Sequence, residues 1–241
     1  MKFHQKSKIS PIVVPKASDI LASQLREMIV DGFYQTGSFL PTERVLVTQS
    51  GLSRTSVRDA LRSLESEGLI TTRVGRSGGS MVTLPGRDAV ARSVEMFVRA
   101  HGVRLESLLE CRVAVEPTLA QLAAIHRTPE ALAEMEELHE QFVKSVDNVA
   151  QYKTVNLEWH LAVARAGANE PLMALMEAIA APIRDAQEYQ HVTTPELRSL
   201  AVRAHTVILD AIREQDPDAA FARMARHVGE YKDIATRKSS K

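Results

Sequence analysis

The chain has 241 residues, 44% of them apolar and 25% charged, and its 30 Lys+Arg are balanced by 30 Asp+Glu. That composition excludes a disordered chain and a uniformly basic nucleic-acid coat, and the length gives core enough for one large domain or two small ones. A single cysteine, Cys111, leaves no internal disulfide and no Cys-rich zinc motif, which suits a reducing cytoplasm, and no apolar run approaches the ~20 residues that cross a bilayer.

In chain order, residues 18–30 place Ile20, Leu21, Leu25, Met28 and Ile29 on one helical stripe behind a Ser18 cap, and Asp31-Gly32 ends it. Thr42 caps a short helix from Glu43 to about Ser50, which Gly51 breaks. Ser53 caps a third, whose Val57, Leu61 and Leu64 recur at helical spacing and which Gly68 closes. The following LITTRV and SMVTL runs flank a glycine-rich tip and read as a hairpin. Three helices and a hairpin are the order of a winged helix-turn-helix.

From Asp88 the pattern is helical throughout, with helices predicted at about 88–101, 104–126, 129–147, 150–166, 170–190, 195–214 and 217–236. Their breaks fall at His101-Gly102, Thr128-Pro129, Gly167-Ala168-Asn169, Thr194-Pro195 and Asp216-Pro217. Short connections make neighbours antiparallel, so the expected fold is mainly α: a winged helix-turn-helix in 1–84, a linker in 85–88, and an all-α antiparallel bundle of six to seven helices in 89–241.

The zero net charge divides unevenly. Residues 1–86 carry 11 Lys+Arg against 7 Asp+Glu, so the remainder is acidic by the same margin. In a helix-turn-helix the second helix of the pair enters the major groove with its N-terminal residues leading. Here that helix starts Ser53-Arg54-Thr55-Ser56-Val57-Arg58. Arg54 and Arg58, four apart, share a face from which either could pair with a guanine edge, and Ser53, Thr55 and Ser56 offer hydroxyls to phosphate. Arg44 opens the preceding helix, and Arg73 and Arg76 stand on the glycine-rich wing, where a minor groove could receive them. Taken alone, the same residues also read as a capped helix start with solvated arginines.

The stretch from Gly37 to Val82 closely resembles the N-terminal domain of the GntR family of bacterial transcription regulators. The matching elements are the LPTER turn, the GLSRTSVRDAL helix, the LESEGLI ending and the Gly-rich wing. The resemblance implies sequence-specific binding of double-stranded DNA, with contact from Arg44, Arg54, Arg58 and the wing around Gly78. One such module buries little surface, so a homodimer on a palindromic operator is expected.

In the C-terminal half, His160 follows Asn156 by four residues and shares its helix face. His205 and His227 each lie 11 residues from Asp216, so on an antiparallel pair they stand at one level, roughly 16 Å from the bend. These side chains form either an inward-facing metal site or hydrogen-bonded core histidines. His4, His101, His126, His139 and His191 lie near helix ends, termini or charges and read as solvated.

Residues from about 104 to 234 resemble the ligand-binding domain of the FadR subgroup of GntR regulators. The matching pieces are Leu109-Glu110-Cys111-Arg112 with Glu116, Asn156-x3-His160, Gly167-x-Asn169-x2-Leu172, His205 with Ile208 and Ala211-Ile212, and His227 after Ala219-Ala220. Many members hold a divalent metal through one Asp and three His, with a small carboxylate on its open positions. The resemblance therefore implies zinc or nickel at Asn156, His160, His205 and His227, with Asn156 standing where the commonest pattern has Asp. Arg112 is the candidate anchor for a small organic acid effector; its alternative is a helix-surface ion pair with Glu116 at i+4.

The expectation is a cytoplasmic DNA-binding regulator, a repressor of a catabolic operon, rather than an enzyme. The alternative within that class is a metal-independent effector of larger apolar or acyl kind. A metal-dependent hydrolase would need a general base beside the open position, and Glu158, two residues from both Asn156 and His160, points to another face. A sequence-indifferent DNA-packaging protein is the remaining class.

Overall fold

The structure is a computed structural model that describes residues 14–73, 75, 78–185 and 194–239. The chain divides into two units, Met1–Pro85 and Gly86–Lys241. Each is built around its own apolar core.

The first unit holds α1 (Ala17–Val30), α2 (Glu43–Ser50), α3 (Arg54–Ser66), β1 (Ile70–Arg73) and β2 (Gly79–Val82). Leu21, Leu25 and Ile29 of α1 meet Leu46 of α2 and Val57, Leu61 and Leu64 of α3, and Ile70 and Val82 close the cluster from the strands. Three-four spacing in the helices and alternation in the strands put one face of each element into this core. Thr42 accepts from the Val45 amide and Ser53 from the Ser56 amide, so both helices of the turn begin on a hydroxyl cap. Between them Gly51 turns the chain in the left-handed region at φ +70, where a Cβ is strained. The strands pair antiparallel, Ile70 opposite Val82 through Arg73 opposite Gly79. A Cβ at Gly78 would lie 2.1 Å from the Arg73 carbonyl oxygen, so the close approach at the hairpin tip requires glycine. Arg76, expected at this tip, lies outside the described residues.

The second unit contains seven helices among the described residues: α4 (Arg87–His101), α5 (Leu105–His126), α6 (Pro129–Lys144), α7 (Val149–Ala166), α8 (Glu170–Asp185), α9 (Pro195–Arg213) and α10 (Pro217–Ser239). The architecture expected from the sequence is present. Central α5 packs against α7, α8, α9 and α10, while α4 lies on α8 and α6 on α7. Trp159, Met135, Ile208, Ile212 and Met224 fill one core cluster; Leu109, Leu119, Met173 and Met176 fill another. Arg127 donates from Nε to the Ile212 carbonyl (2.9 Å) and from Nη2 to that of Arg213 (2.7 Å), satisfying the exposed end of α9.

Two helix ends differ from the sequence reading by three residues: α10, expected to end at 236, runs to Ser239, and the other is the end of α6. α6 ends at Lys144, not near residue 147, because buried Ser145 turns its hydroxyl back on the Phe142 carbonyl (2.8 Å) and Asn148 already caps α7. The helix expected to run to residue 190 is seen to Asp185, and 186–190 lie outside the described residues. Among the described residues no helix is long and apolar enough to cross a membrane.

Leu64 is fully buried where α3 meets the rest of the small core. Leu64→Ala should destabilise the first unit by about 2–5 kcal/mol, and Ser53→Ala, which removes only a cap, by about 0.5–2. Denaturant unfolding followed by circular dichroism checks the order; equal losses would show that α3 does not organise this core.

Candidate functional site

Among the described residues most of the buried polar side chains of the second unit lie together on α5, α7 and α9. On α5, Arg112 and Glu116 are one turn apart, and both are buried. Arg112 donates from Nε to Glu116 Oε1 and from Nη2 to Oε2 (3.2 Å), a bidentate pair along one edge of the guanidinium. The other side of the same carboxylate faces α7, where His160 Nδ1 lies 2.6 Å from Glu116 Oε2, in close contact but off the hydrogen-bond angle. Burial raises the Glu116 pKa, but the Arg112 charge and the neighbouring His160 more than reverse this, and the carboxyl is held well below its usual range.

His160 Nε2 is buried and has no hydrogen-bond partner. Opposite it, His205 of α9 and His227 of α10 bring their Nε2 atoms to 3.2 Å, and the nitrogens of the three rings lie within 4.8 Å of one another. His205 is gripped on both faces: Trp159 stacks at 3.9 Å between ring centroids and Phe142 at 4.6 Å. The rings are thus oriented by packing and by Glu116. Burial, followed by the mutual proximity of the imidazoles, pushes His205 well below the ordinary histidine value, and burial with the neighbouring His160 and Arg112 pushes His227 down to about 3. Near neutral pH all three rings are uncharged and offer lone pairs.

A cavity of about 60 Å3 opens beside these rings. Its walls include Arg112, Tyr152, Asn156, Arg198 and Tyr231 together with His160 and His227. A smaller recess shares Arg112 and Asn156 and adds Lys153 and Arg184.

These residues could coordinate a metal ion. An imidazole nitrogen buried without a partner, and two more at a separation that two ligands of one ion adopt at ~2.0–2.1 Å from it, make a nitrogen-rich donor set.

In the first unit Arg44, Arg54, Thr55 and Arg58 are exposed. Ser53 is occupied as the α3 cap and its hydroxyl lies 3.0 Å from that of Ser56, which is half-buried. Arg58 Nε donates to Glu43 Oε2 at 2.9 Å, joining the starts of α2 and α3 through a solvent-exposed pair. The Gly78 amide donates to the Gly75 carbonyl at 2.9 Å within the wing turn.

Two family models match the chain: bacterial regulatory proteins, gntR family, over residues 17–78, and the FCD domain over residues 107–230. The chain belongs to the GntR family. The FCD model covers half the chain and marks the FadR subgroup. The HTH-type transcriptional repressor NanR of Salmonella schwarzengrund is 28% identical over 228 residues, which span 90% of this chain and 84% of that protein. Its counterpart in Salmonella typhimurium is 27% identical over 230 residues, with the same coverage. A solved Streptococcus agalactiae GntR structure aligns over 92% of this chain and 99% of its own at a TM-score of 0.66 and 24% identity, a likeness of fold. The family is one of DNA-binding transcription regulators, not of enzymes.

In this GntR chain the four residues singled out on spacing, Asn156, His160, His205 and His227, line one region of the interior, and Arg112 lies on the same cavity wall. The ion pair of Arg112 with Glu116 exists, but in the core rather than on a helix surface. His139 is not solvated as its surroundings in sequence suggested. It is half-buried, its Nε2 3.0 Å from Thr206 Oγ1 and its ring 6.5 Å from that of His205. His4 and His191 lie outside the described residues. Sequence reasoning missed Tyr152, Arg198 and Tyr231, although the signal was there: Tyr152 precedes Asn156 by one turn, Arg198 precedes His205 by two, and Tyr231 follows His227 by one.

Buried neutral histidines make stability depend on pH with a definite sign. An unfolded histidine takes up its proton near 6.5, whereas folded His227 resists until about 3, so stability is complete above 6.5 and falls as the pH drops through that interval. With chelator present, unfolding free energy should decline below pH 6.5 at up to roughly 1.4 kcal/mol per pH unit for each such group. His227→Asn should flatten the slope; an unchanged slope in urea titrations at pH 7.5, 6 and 5 would assign it elsewhere.

Proposed function

We propose that this chain is a homodimeric transcription repressor that binds a palindromic operator through its winged helices and is released from it by a small organic acid taken up in the FCD domain. The observation that carries the reading is the convergence of three neutral imidazoles beside an arginine-walled cavity, inside the domain that the FCD model matches. The NanR relatives, named as repressors, support the sign of regulation. A cavity of about 60 Å3 has room for a few waters at ~10–15 Å3 each, which favours a ligand of few heavy atoms over a long acyl chain.

His160, His205, His227 and the Asn156 carboxamide would hold a zinc or nickel ion, and when bound this ion supplies Lewis-acid attraction for a carboxylate oxygen. Glu116 turns His160 so that Nε2 meets the cavity, and Trp159 and Phe142 keep His205 from rotating away. Arg112, with one edge on Glu116, stands on the cavity wall that the acid would meet. Asn156, a neutral ligand where Asp is commoner, leaves the site more positive by one charge, which favours an anionic effector and loosens the site when no effector is present. The acid can shift DNA affinity only through its differential affinity for the two states, so the DNA-competent form binds it more weakly.

On DNA, the exposed Arg44, Arg54 and Arg58, the hydroxyls of Ser53, Thr55 and Ser56, and the wing with Arg76 and Gly78 are the contact residues. Arg58 exchanges an exposed Glu43 contact, worth little in water, for a base edge. Two such units on one dimer set the half-site spacing.

A thermal-shift screen of zinc and nickel crossed with small organic acids tests the reading; a flat screen with DNA binding intact would favour the metal-independent acyl alternative. His205→Ala with His227→Ala should abolish metal retention and leave operator affinity in place, and unchanged metal content would sink the site. Asn156→Asp should tighten metal retention without effector by on the order of tenfold, read by competition with a chromogenic chelator. Arg58→Ala should cost about 1–3 kcal/mol on the cognate operator and relax one base position; equal loss on all sequences would assign it to phosphate.

A further inference from the structure

The cavity beside the imidazoles carries basic groups at separated places. Arg112 stands on its α5 wall, next to His160. Arg198 stands on α9, only 8% exposed, in the first turn after the Thr194 cap. Seven residues separate Arg198 from His205, so both occupy one face of α9 with about 10 Å of helix rise between them. Along this span Ala201, Ala204 and Val228 line the cavity, with the Tyr231 phenol and the exposed Glu230 beside them. The shape is therefore polar at the imidazole end, mainly apolar along its length and basic again where Arg198 stands.

A guanidinium held in such a wall meets a carboxylate or phosphate through charge-assisted bonds about twice as strong as those it makes to a neutral oxygen. A monocarboxylate bound at the imidazole end puts its hydrocarbon tail against Arg198. An acid with a second anionic group puts that group there instead. The apolar span between the ends suits a short methylene chain and gives little to a polyhydroxylated one.

We propose that the effector carries two acidic groups, the first beside Arg112 and the imidazoles and the second on Arg198, which thereby acts as the specificity-determining residue of the cavity. This rests on the reading of the FCD cavity as an acid-binding site.

The test uses the full-length protein with zinc supplied and measures affinity by calorimetry for matched pairs: succinate against butyrate, glutarate against valerate, adipate against caproate. One further pair, 3-phosphoglycerate against glycerate, separates a second phosphate from a second carboxylate. At least one diacid should bind on the order of tenfold or more tighter than its monoacid partner. Arg198→Gln should erase that advantage while leaving monoacid affinity within about twofold and zinc retention unchanged. Monoacids binding as tightly as their diacids would overturn the second group while leaving the acid site standing. Arg198→Gln weakening both members of a pair equally would make Arg198 a structural residue and overturn the assignment. Failure of every acid to bind would remove the acid site itself and this inference with it.

Discussion

A charged side chain can be buried in a helical bundle only beside a counter-charge that replaces its water, and in the second unit Arg112 and Glu116 meet that requirement for each other. Glu116 accepts the Arg112 fork along α5 and receives His160 of α7 on its other side. Removing Arg112 or Glu116 would leave an uncompensated charge in the core. The pair therefore sets the register of α7 against α5. It also fixes which nitrogen of His160 faces inward to the carboxylate and which faces the cavity.

The other two imidazoles are placed by different means. His205 has no charged neighbour at hydrogen-bond distance among the described residues; it is held by stacking between Trp159 and Phe142, which belong to α7 and α6. His227 is reached from α10 through the short turn at Asp216, whose side chain caps that helix at the Ala219 amide (2.9 Å). Five helices thus contribute to one polar centre: α7, α9 and α10 with one imidazole each, α5 with Arg112 and Glu116, and α6 with a wall. A site assembled in this way is organised before any ligand arrives, because each ring's rotamer is held by packing or by a carboxylate rather than by what it binds.

This division explains what the sequence made legible. Proline and glycine punctuation marked the start or end of the bundle helices seen here, because those residues act on the local backbone, although Pro117 lies inside α5 and Pro182 inside α8 without ending them. Equal distances of His205 and His227 from Asp216 translated directly into facing nitrogens because an antiparallel helix pair is a ruler. Spacing along a helix encodes a face but not what covers that face. Hence the alternative reading of Arg112 with Glu116 put that pair on a helix surface, though both are buried, and His139 read as solvated, though the α9 hydroxyl of Thr206 meets it. Arg198 and Tyr231 escaped notice for the same reason: each sits at a helical repeat from a histidine already singled out, but a basic or phenolic residue at such a position is ordinarily solvated.

Net neutrality has a similar resolution in the first unit. Its excess of basic residues is carried largely by side chains such as Arg44, Arg54 and Arg58, which project from the starts of α2 and α3, while the apolar stripe of each helix is spent on the small core. Glu43 lies among them and pairs with Arg58, so the surface is less positive than its arginines alone suggest. An acidic group beside a groove-facing arginine weakens attraction to any phosphate backbone and leaves intact what a base edge offers at hydrogen-bond distance. Weak non-specific attraction with retained base contact raises the ratio between right and wrong sites, which is the quantity a regulator competing against a genome of wrong sites depends on. A chain of zero net charge is compatible with DNA recognition on this ground, because specificity depends on where guanidinium groups are placed and not on the total field.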